Sequence, residues 1–200
     1  MKKSTGITLG VLVVLAFIGF IILLWVTGTY NSIVAKSEEV KQRWGQVENV
    51  YQRRQDLIPN LVEVVKGYAS HEKSTFTQVI EARAKATQMT IDPSKVGDLQ
   101  KFQAMQGEIS SALGRLMVVV EKYPELKANE NFKELQAELA GTENRISVER
   151  KRFNDSAQSY NTSLRVFPSS IIANFSGFQL RPYFEAEKGA SQAPKVNFKL

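Results

Sequence analysis

The sequence predicts an all-α protein: an antiparallel, up-and-down four-helix bundle with an N-terminal transmembrane helix and a short aromatic C-terminal strap. Three observations predict this fold. Residues 7–26 form one uncharged apolar stretch. From Ile33 to Leu164, apolar residues recur at alternating intervals of three and four, which is typical of helices packed on one side. Turn signals at Pro59, Asp92-Pro93 and Pro124 divide that pattern into segments of helical length.

The composition fits one soluble helical domain beside a membrane segment. The formal net charge of +6 arises from 26 Lys and Arg against 20 Asp and Glu, and the basic residues are spread along the helices. No basic-aromatic motif accompanies them, so we expect no nucleic-acid partner, whereas loose attraction to anionic lipid is compatible with the charge. The absence of cysteine excludes disulfides, thiol catalysis and cysteine-bound zinc.

Residues 1–28 are predicted to be a transmembrane anchor, which makes the lipid bilayer a partner. Twenty residues at about 1.5 Å each span about 30 Å, the thickness of a bilayer core. Trp25 and Tyr30 lie where an interfacial aromatic belt is expected. A cleaved signal peptide is the alternative, but the apolar stretch is long for one and residues 27–29 offer a poor cleavage site. The sequence therefore favours a retained anchor.

The orientation of the anchor is set by basic residues on its two sides. Lys2 and Lys3 favour a cytoplasmic N-terminus. Lys36, Lys41 and Arg43 favour the opposite orientation, with the residues after the span in the cytoplasm. We expect the bundle to lie outside the cytoplasm, and the opposite orientation stays open.

Small residues in the anchor are candidates for close helix packing. Gly6 and Gly10 form a GxxxG pair at the membrane edge, and Gly19 lies deeper in the span. These three glycines are the predicted transmembrane packing positions.

The bundle domain is predicted at residues 29–167, with helices at about 31–54, 59–87, 93–123 and 129–166. Asp92 is expected to cap the third helix, with Pro93 at its first position, and Asn129 to cap the fourth. Five polar residues fall in frame with the apolar seam, where such residues usually set helix register: Ser37, Arg54, Gln106, Thr142 and Glu149. Gly107 and Gly114, seven residues apart, are expected to let a neighbouring helix approach.

Pro59 interrupts the ladder between the first two helices. Proline removes a backbone donor and disfavours helical geometry in the residue before it. We predict a hinge at residues 55–58, with Asp56 as a candidate N-cap, and the pattern leaves open whether the chain reverses or kinks there.

The residues after the bundle change character. Residues 168–187 are aromatic without a sustained period, and exposed aromatic segments of this kind are seldom left in water. We expect a strap along the bundle, with docking on another subunit or partner as the alternative. The candidate interaction surface consists of Phe175, Phe178, Tyr183 and Phe184. Residues 188–200 are polar and expected to be flexible.

Many ordered short motifs give the chain a family resemblance. They include Trp44-x-x-Val47-Glu48, Arg53-Arg54-x-Asp56-Leu57-Ile58-Pro59-Asn60-Leu61-Val62, His71-Glu72, Glu121-x-Tyr123-Pro124, Glu143-Asn144-Arg145-Ile146, Arg150 and Phe153-Asn154. From Tyr30 to about Glu185 the sequence resembles the LemA family of bacterial membrane proteins. The resemblance implies a single membrane helix and a four-helix bundle, without an established catalytic activity. It also implies the bacterial inner membrane as the location.

The resemblance singles out a set of motif residues that we expect to be structural: Trp44, Arg53, Arg54, Pro59, Asn60, Glu72, Glu121, Tyr123, Glu143, Arg145, Arg150 and Asn154. Where the family usually has tyrosine in the motif of the fourth helix, this chain has Phe153. Any role for a hydroxyl group at that position is therefore weakened.

The sequence offers no assembled reaction centre, so no catalytic residue is predicted. His71 is the single histidine, and neither a GxSxG elbow nor a Glu-x-x-His metal motif occurs. We therefore expect no metal and no cofactor.

Carboxylates and arginines of the helices are candidates to gather inside or beside the bundle. The carboxylates are Glu48, Glu72, Glu81, Glu121, Glu143 and Glu149, and the arginines are Arg53, Arg54, Arg83, Arg145 and Arg150. Because structural ion-pair networks imitate functional sites, we favour a structural role for this set over a ligand pocket.

These features predict a non-enzymatic scaffold that self-associates at the membrane and presents a protein-interaction surface. An adaptor or regulator of a membrane protease or signalling protein is the first alternative, with an unidentified membrane or periplasmic protein as its partner. A small-ligand sensor is the second alternative, and it would need a polar pocket among the carboxylates.

Overall fold

The computed structural model describes the backbone of residues 2–185 and the side chains of residues 9–185. The packing role expected of Gly6 falls where only the backbone is described, and the polar tail at 188–200 lies outside the described residues. The described chain is helical and contains no strand, which confirms the all-α class. Six helices form it: α1 (Lys2–Tyr68), α2 (Lys73–Thr87), α3 (Val96–Val120), α4 (Pro124–Ala128), α5 (Glu130–Arg165) and α6 (Ser169–Phe175).

Helix α1 joins the predicted anchor and the predicted first bundle helix into one element of 67 residues. No break occurs at residues 29–31. The Thr27 hydroxyl donates to the carbonyls of Leu23 and Leu24 at 2.9 and 3.1 Å, so it bonds to the preceding turn of the same helix. By length and composition α1 can cross a membrane once, and its apolar side chains from Leu9 to Leu24 are exposed.

The predicted hinge at residues 55–58 is wrong, because α1 continues through Pro59 to Tyr68. The exposed Asp56 is interior to the helix and caps nothing there. Pro59 cannot donate to the carbonyl of Gln55, four residues earlier. The Nε of Arg83, on α2, donates to that carbonyl at 2.8 Å. This bond gives the Gln55 carbonyl a donor in place of the amide hydrogen that Pro59 lacks. The helix therefore continues through the proline without reversing.

The chain turns about fourteen residues later than the predicted hinge, at residues 69–72. There the amide of Glu72 donates to the carbonyl of Ala69 at 3.0 Å, and the Glu72 carbonyl accepts from Thr75 and Phe76. The predicted helix at 59–87 is thus the end of α1 together with the whole of α2.

Of the two N-caps predicted at Asp92 and Asn129, the one at Asn129 is confirmed and the one at Asp92 is wrong. Asn129 does cap α5, because its side-chain oxygen accepts from the amide of Phe132 at 3.0 Å. Asp92 does not cap α3, which begins at Val96. Its carboxylate instead accepts from the amide and hydroxyl of Ser94 at 3.0 and 2.5 Å, closing a local turn. These bonds hold the pKa of Asp92 below its usual value.

The turn predicted after Tyr123 contains a helix of its own. Helix α4 begins at Pro124, where a missing donor costs nothing, and it buries Leu126. Helix α3 ends at Val120, three residues before the predicted limit.

The chain divides into two compact units. Among the described residues, the first contains the chain to Tyr51 together with Arg145–Arg181, and the second contains Gln52–Asn144 together with residues 182–185. In the first unit, the rings of Trp44 and Phe153 meet edge to face at 5.7 Å. The apolar seam residues predicted for this unit are buried: Ile33, Val40, Trp44, Val47, Tyr51, Ile146, Phe153, Tyr160 and Leu164.

The second unit has one apolar core drawn from α1, α2, α3, α4 and α5. Its deepest members include Ile58, Val65, Leu116 and Leu126, none of which exceeds 1% exposure. Helices α2 and α3 pack against each other. Of the five polar residues predicted in the seams of the two units, four are buried: Ser37, Arg54, Gln106 and Thr142. Glu149 is half-buried and pairs with Arg152.

Candidate functional site

A row of small and apolar residues lies on the solvent side of α3 in the second unit. Gly107, Ser111, Gly114 and Val118 follow one another at intervals of four, three and four, so they share one face, which we call the α3 outer face. All four are exposed, Val118 by 64%. At about 100° per residue, this face is opposite the buried face of α3 that carries Leu116.

The glycines of the α3 outer face have open space around them. A Cβ atom at Gly107 or Gly114 would meet nothing within 4 Å. The predicted approach of a neighbouring helix is therefore not found among the described residues. What these positions provide is a shallow strip on which an external helix can pack closely.

Charged residues of both signs border one side of the α3 outer face. They belong to a groove of about 590 Å³ between α2 and α3. Lys85 Nζ lies 3.8 Å from a carboxylate oxygen of Glu108, and Arg115 Nε donates to the side chain of Gln78 at 2.8 Å. The exposed Glu81 also lines the groove.

Arg54 forms a buried polar site in the second unit. Its side chain is 2% exposed, and Nη1 donates to Glu143 at 2.7 Å and to the Ser110 hydroxyl at 3.1 Å. Nη2 donates to the backbone carbonyl of Gln106 at 3.3 Å and to the side-chain oxygen of the same residue. The guanidinium therefore links α1, α3 and α5 through hydrogen bonds with defined geometry.

The adjacent arginine has a different environment. Arg53 pairs with Glu138 on α5, but both side chains are about half exposed. Such an exposed ion pair contributes little to stability. Of the motif pair, Arg54 is thus the residue with a buried structural role.

The remaining carboxylates and arginines of the predicted set do not form one cluster. Glu121 pairs with Lys127 and Glu149 with Arg152, while Glu48 and Glu81 are exposed. Across the described side chains, no group of three or more potential metal ligands comes together. The carboxylates that a small-ligand sensor would need are therefore not gathered into one group.

The four aromatic residues of the C-terminal segment have three different environments. Phe184 is buried, with its ring 6.4 Å from that of Phe102 in the second unit. The half-buried Phe178 packs at 5.6 Å against Tyr30 in the first unit. Phe175 is 95% exposed and Tyr183 is 43% exposed. The predicted interaction surface is therefore not one continuous patch.

Arg181 attaches this segment to the first unit, which the sequence did not indicate. Its backbone amide donates to the side-chain oxygen of Asn161, whose amide group donates back to the Arg181 carbonyl, both at 2.8 Å. The Arg181 guanidinium lies 5.8 Å from the ring centre of Tyr160 and 3.4 Å from the Ser37 hydroxyl. Burial raises the pKa of Tyr160, and the charge of Arg181 opposes that rise.

The other predicted motif residues occupy varied positions. Tyr123 packs against the core of the second unit, and Glu72 lies in the turn before α2. Pro59, Asn60 and Arg145 are exposed. Arg150 and Asn154 are half-buried on α5. Gly10 and Gly19 are exposed on α1, with no atom within 4 Å of a Cβ at either position.

Comparison with known proteins gives both a family match and curated relatives. Residues 43–198 match the LemA family. The chain is 28% identical to magnetosome protein MamQ 2 of Paramagnetospirillum magneticum, over 96% of this chain and 75% of that protein. It is 29% identical to magnetosome protein MamQ of Magnetospirillum gryphiswaldense, over 92% and 73% of the two chains. Protein LemA of Metamycoplasma hominis is 22% identical, over 73% and 64%.

Proposed function

The chain belongs to the LemA family, and on that premise we propose that it is a non-enzymatic, membrane-anchored scaffold that self-associates and presents a protein-interaction surface. The single apolar span of α1 supplies the anchor. The segment after α6, bonded at Asn161 and packed at Phe102, serves as a strap on the helical scaffold.

The α3 outer face is the observation that carries self-association. A glycine inside a helix costs about 1 kcal/mol relative to alanine. Gly107 and Gly114 incur that cost on a face where they make room for no described part of the chain. A second copy of the chain would use that room, because helices with small contact residues pack at short interaxial distances.

Charge complementarity favours a second copy over an unrelated helix. In a twofold, antiparallel pairing of α3 centred near Ser111, residues before the centre face residues after it. Glu108 lies three positions before Ser111 and Arg115 lies four positions after it. Each Glu108 would therefore face Arg115 of the other copy, so the groove rim complements itself.

A crosslinking experiment tests this pairing without disturbing native thiols, because the chain has no cysteine. We expect Ser111→Cys to form a disulfide-linked dimer under mild oxidation in membranes. Ser74→Cys, at an exposed position on α2, is the matched control and should stay monomeric. Equal crosslinking of the two variants, or none at Ser111→Cys, would contradict pairing through α3.

The proposal includes the membrane and the side of it on which the helical units lie. We place the scaffold at the bacterial inner membrane with its helical units outside the cytoplasm, because Lys2 and Lys3 favour a cytoplasmic N-terminus. Labelling of Ser74→Cys in intact cells by a membrane-impermeant thiol reagent tests this orientation.

A protein that stays monomeric and recovers one defined membrane or periplasmic partner would instead be an adaptor.

A further inference from the structure

A second groove lies in the first unit, where the apolar part of α1 ends. It has a volume of about 480 Å³ and is bordered by α1 and by the chain around the end of α5. Leu24 and Trp25 line its apolar end, while Thr29, Ser32 and Lys36 line it further along α1. Trp25 and Lys36 are eleven residues apart, or about 16 Å along the helix.

The polar part of this groove is suited to an anion. The Lys36 ammonium donates to the backbone carbonyl of Ser159 at 3.5 Å, which engages one of its three N–H groups. The residues that line this groove include several hydroxyl side chains and no Asp or Glu. The groove therefore combines an apolar end with a cationic, hydroxyl-rich part.

Helix α6 and the residues just before it carry exposed apolar side chains in the same unit. Phe167, Ile171 and Phe175 follow one another at intervals of four and are 82%, 58% and 95% exposed. Helix α6 carries no charged residue. Just after it, Phe178 packs on Tyr30, which follows Trp25 by about one and a half turns of α1. This part of the unit thus lies beside the end of the membrane span.

We propose that this end of the first unit is a phospholipid-binding surface. The groove takes the headgroup region of one lipid, with its phosphate at Lys36 and its glycerol and chain carbons toward Leu24 and Trp25. The side chains of Phe167, Ile171 and Phe175 enter the interfacial layer of the same leaflet. Two observations select lipid over free phosphate: the groove is continuous with the span, and one end of it is apolar.

A spin-label measurement tests the membrane contact of α6. In the full-length cysteine-free chain, nitroxides attached at Phe175→Cys and Val148→Cys are compared in vesicles of phosphatidylglycerol and phosphatidylcholine. Val148 is a matched control because it is also an exposed apolar residue of the first unit, about 26 Å before the end of α5 at Arg165. We expect the label at 175 to collide more with oxygen and less with a water-soluble nickel chelate than the label at 148. Equal collision ratios would overturn the proposal.

Lipid retention tests the groove separately. Native mass spectrometry of the detergent-extracted protein gives the ratio of bound phosphatidylglycerol to bound phosphatidylcholine. We expect Lys36→Gln to lower that ratio about fivefold, the effect of one lysine near an anionic surface. Lys41→Gln, which removes an exposed lysine paired with Glu38, should leave the ratio unchanged. An unchanged ratio in Lys36→Gln, or equally tight retention of glycerol phosphate without chains, would overturn the lipid site.

Discussion

The Nε of Arg83 lies 2.8 Å from the carbonyl oxygen of Gln55, the acceptor that Pro59 leaves without a helical donor. The two residues are 28 positions apart and belong to α2 and α1 of the second unit. This bond explains how α1 continues to Tyr68 although a proline lies in its interior.

The first prediction concerns the coupling of these residues. Arg83→Met removes the donor but keeps an apolar stem, and should cost about 1 kcal/mol of unfolding free energy because a part-buried carbonyl loses its partner. In a Pro59→Ala background the same change should cost less, because the amide of residue 59 then donates to Gln55. Urea unfolding of the wild type, the two single variants and the double variant in mild detergent measures the coupling energy between Arg83 and Pro59. Identical costs in the two backgrounds would contradict this explanation.

The sequence predicts the buried seam better than it predicts the helix ends. Arg54, Gln106 and Thr142 are buried as their spacing predicts, because the helical period decides which face packs. The position of the first turn is wrong because a local rule about Pro59 is overridden by a tertiary hydrogen bond. No sequence pattern near Pro59 indicates that Arg83 will donate there.

For the candidate sites, too, the sequence predicts some features correctly and misses others. The spacing of Gly107 and Gly114 predicts that a neighbouring helix approaches them, but the structure shows open space at both positions. The aromatic composition of the C-terminal segment predicts burial of Phe184 and of Phe175 equally, although one is 6% and the other 95% exposed. Without a repeating period, the sequence carries no information about which side of the segment packs.

The second prediction compares two neighbouring arginines. Arg54→Met should lower the unfolding free energy by about 1–3 kcal/mol, because the buried side chain of Gln106 loses its donor. Arg53→Met should cost less than about 1 kcal/mol, because its pair with Glu138 is exposed. Urea midpoints of the two variants in mild detergent measure the difference, and equal costs would show that the Arg54 site is not structurally important.

The third prediction concerns alkaline pH. Burial raises the pKa of Tyr160 in the folded chain above its ordinary value of 10.0. The unfolded chain therefore loses this proton first, and stability is lost as the pH rises above about 10. Tyr160→Phe should lose less stability than the wild type between pH 9 and pH 11, as measured by thermal unfolding. Tyr30→Phe is the control, and the same pH dependence in both variants would refute the assignment.

The fourth prediction separates packing from surface exposure in the C-terminal segment. Phe184→Ala should lower the unfolding free energy by about 3 kcal/mol, because a buried ring that contacts Phe102 is removed. Phe175→Ala should change it by less than about 0.5 kcal/mol. Thermal unfolding followed by circular dichroism distinguishes the two. A neutral Phe184→Ala would mean that the segment does not stabilise the second unit.

The most direct test of the scaffold proposal is the mass of the full-length protein in mild detergent, measured by light scattering. We predict at least twice the mass of one chain, falling to a single chain in the Gly107→Glu, Gly114→Glu double variant, because its carboxylates fill the α3 outer face. Gly67→Glu, at another exposed helical glycine with open space around it, should keep the wild-type mass. A single-chain mass for the wild type, or an unchanged mass in the double variant, would contradict self-association through α3.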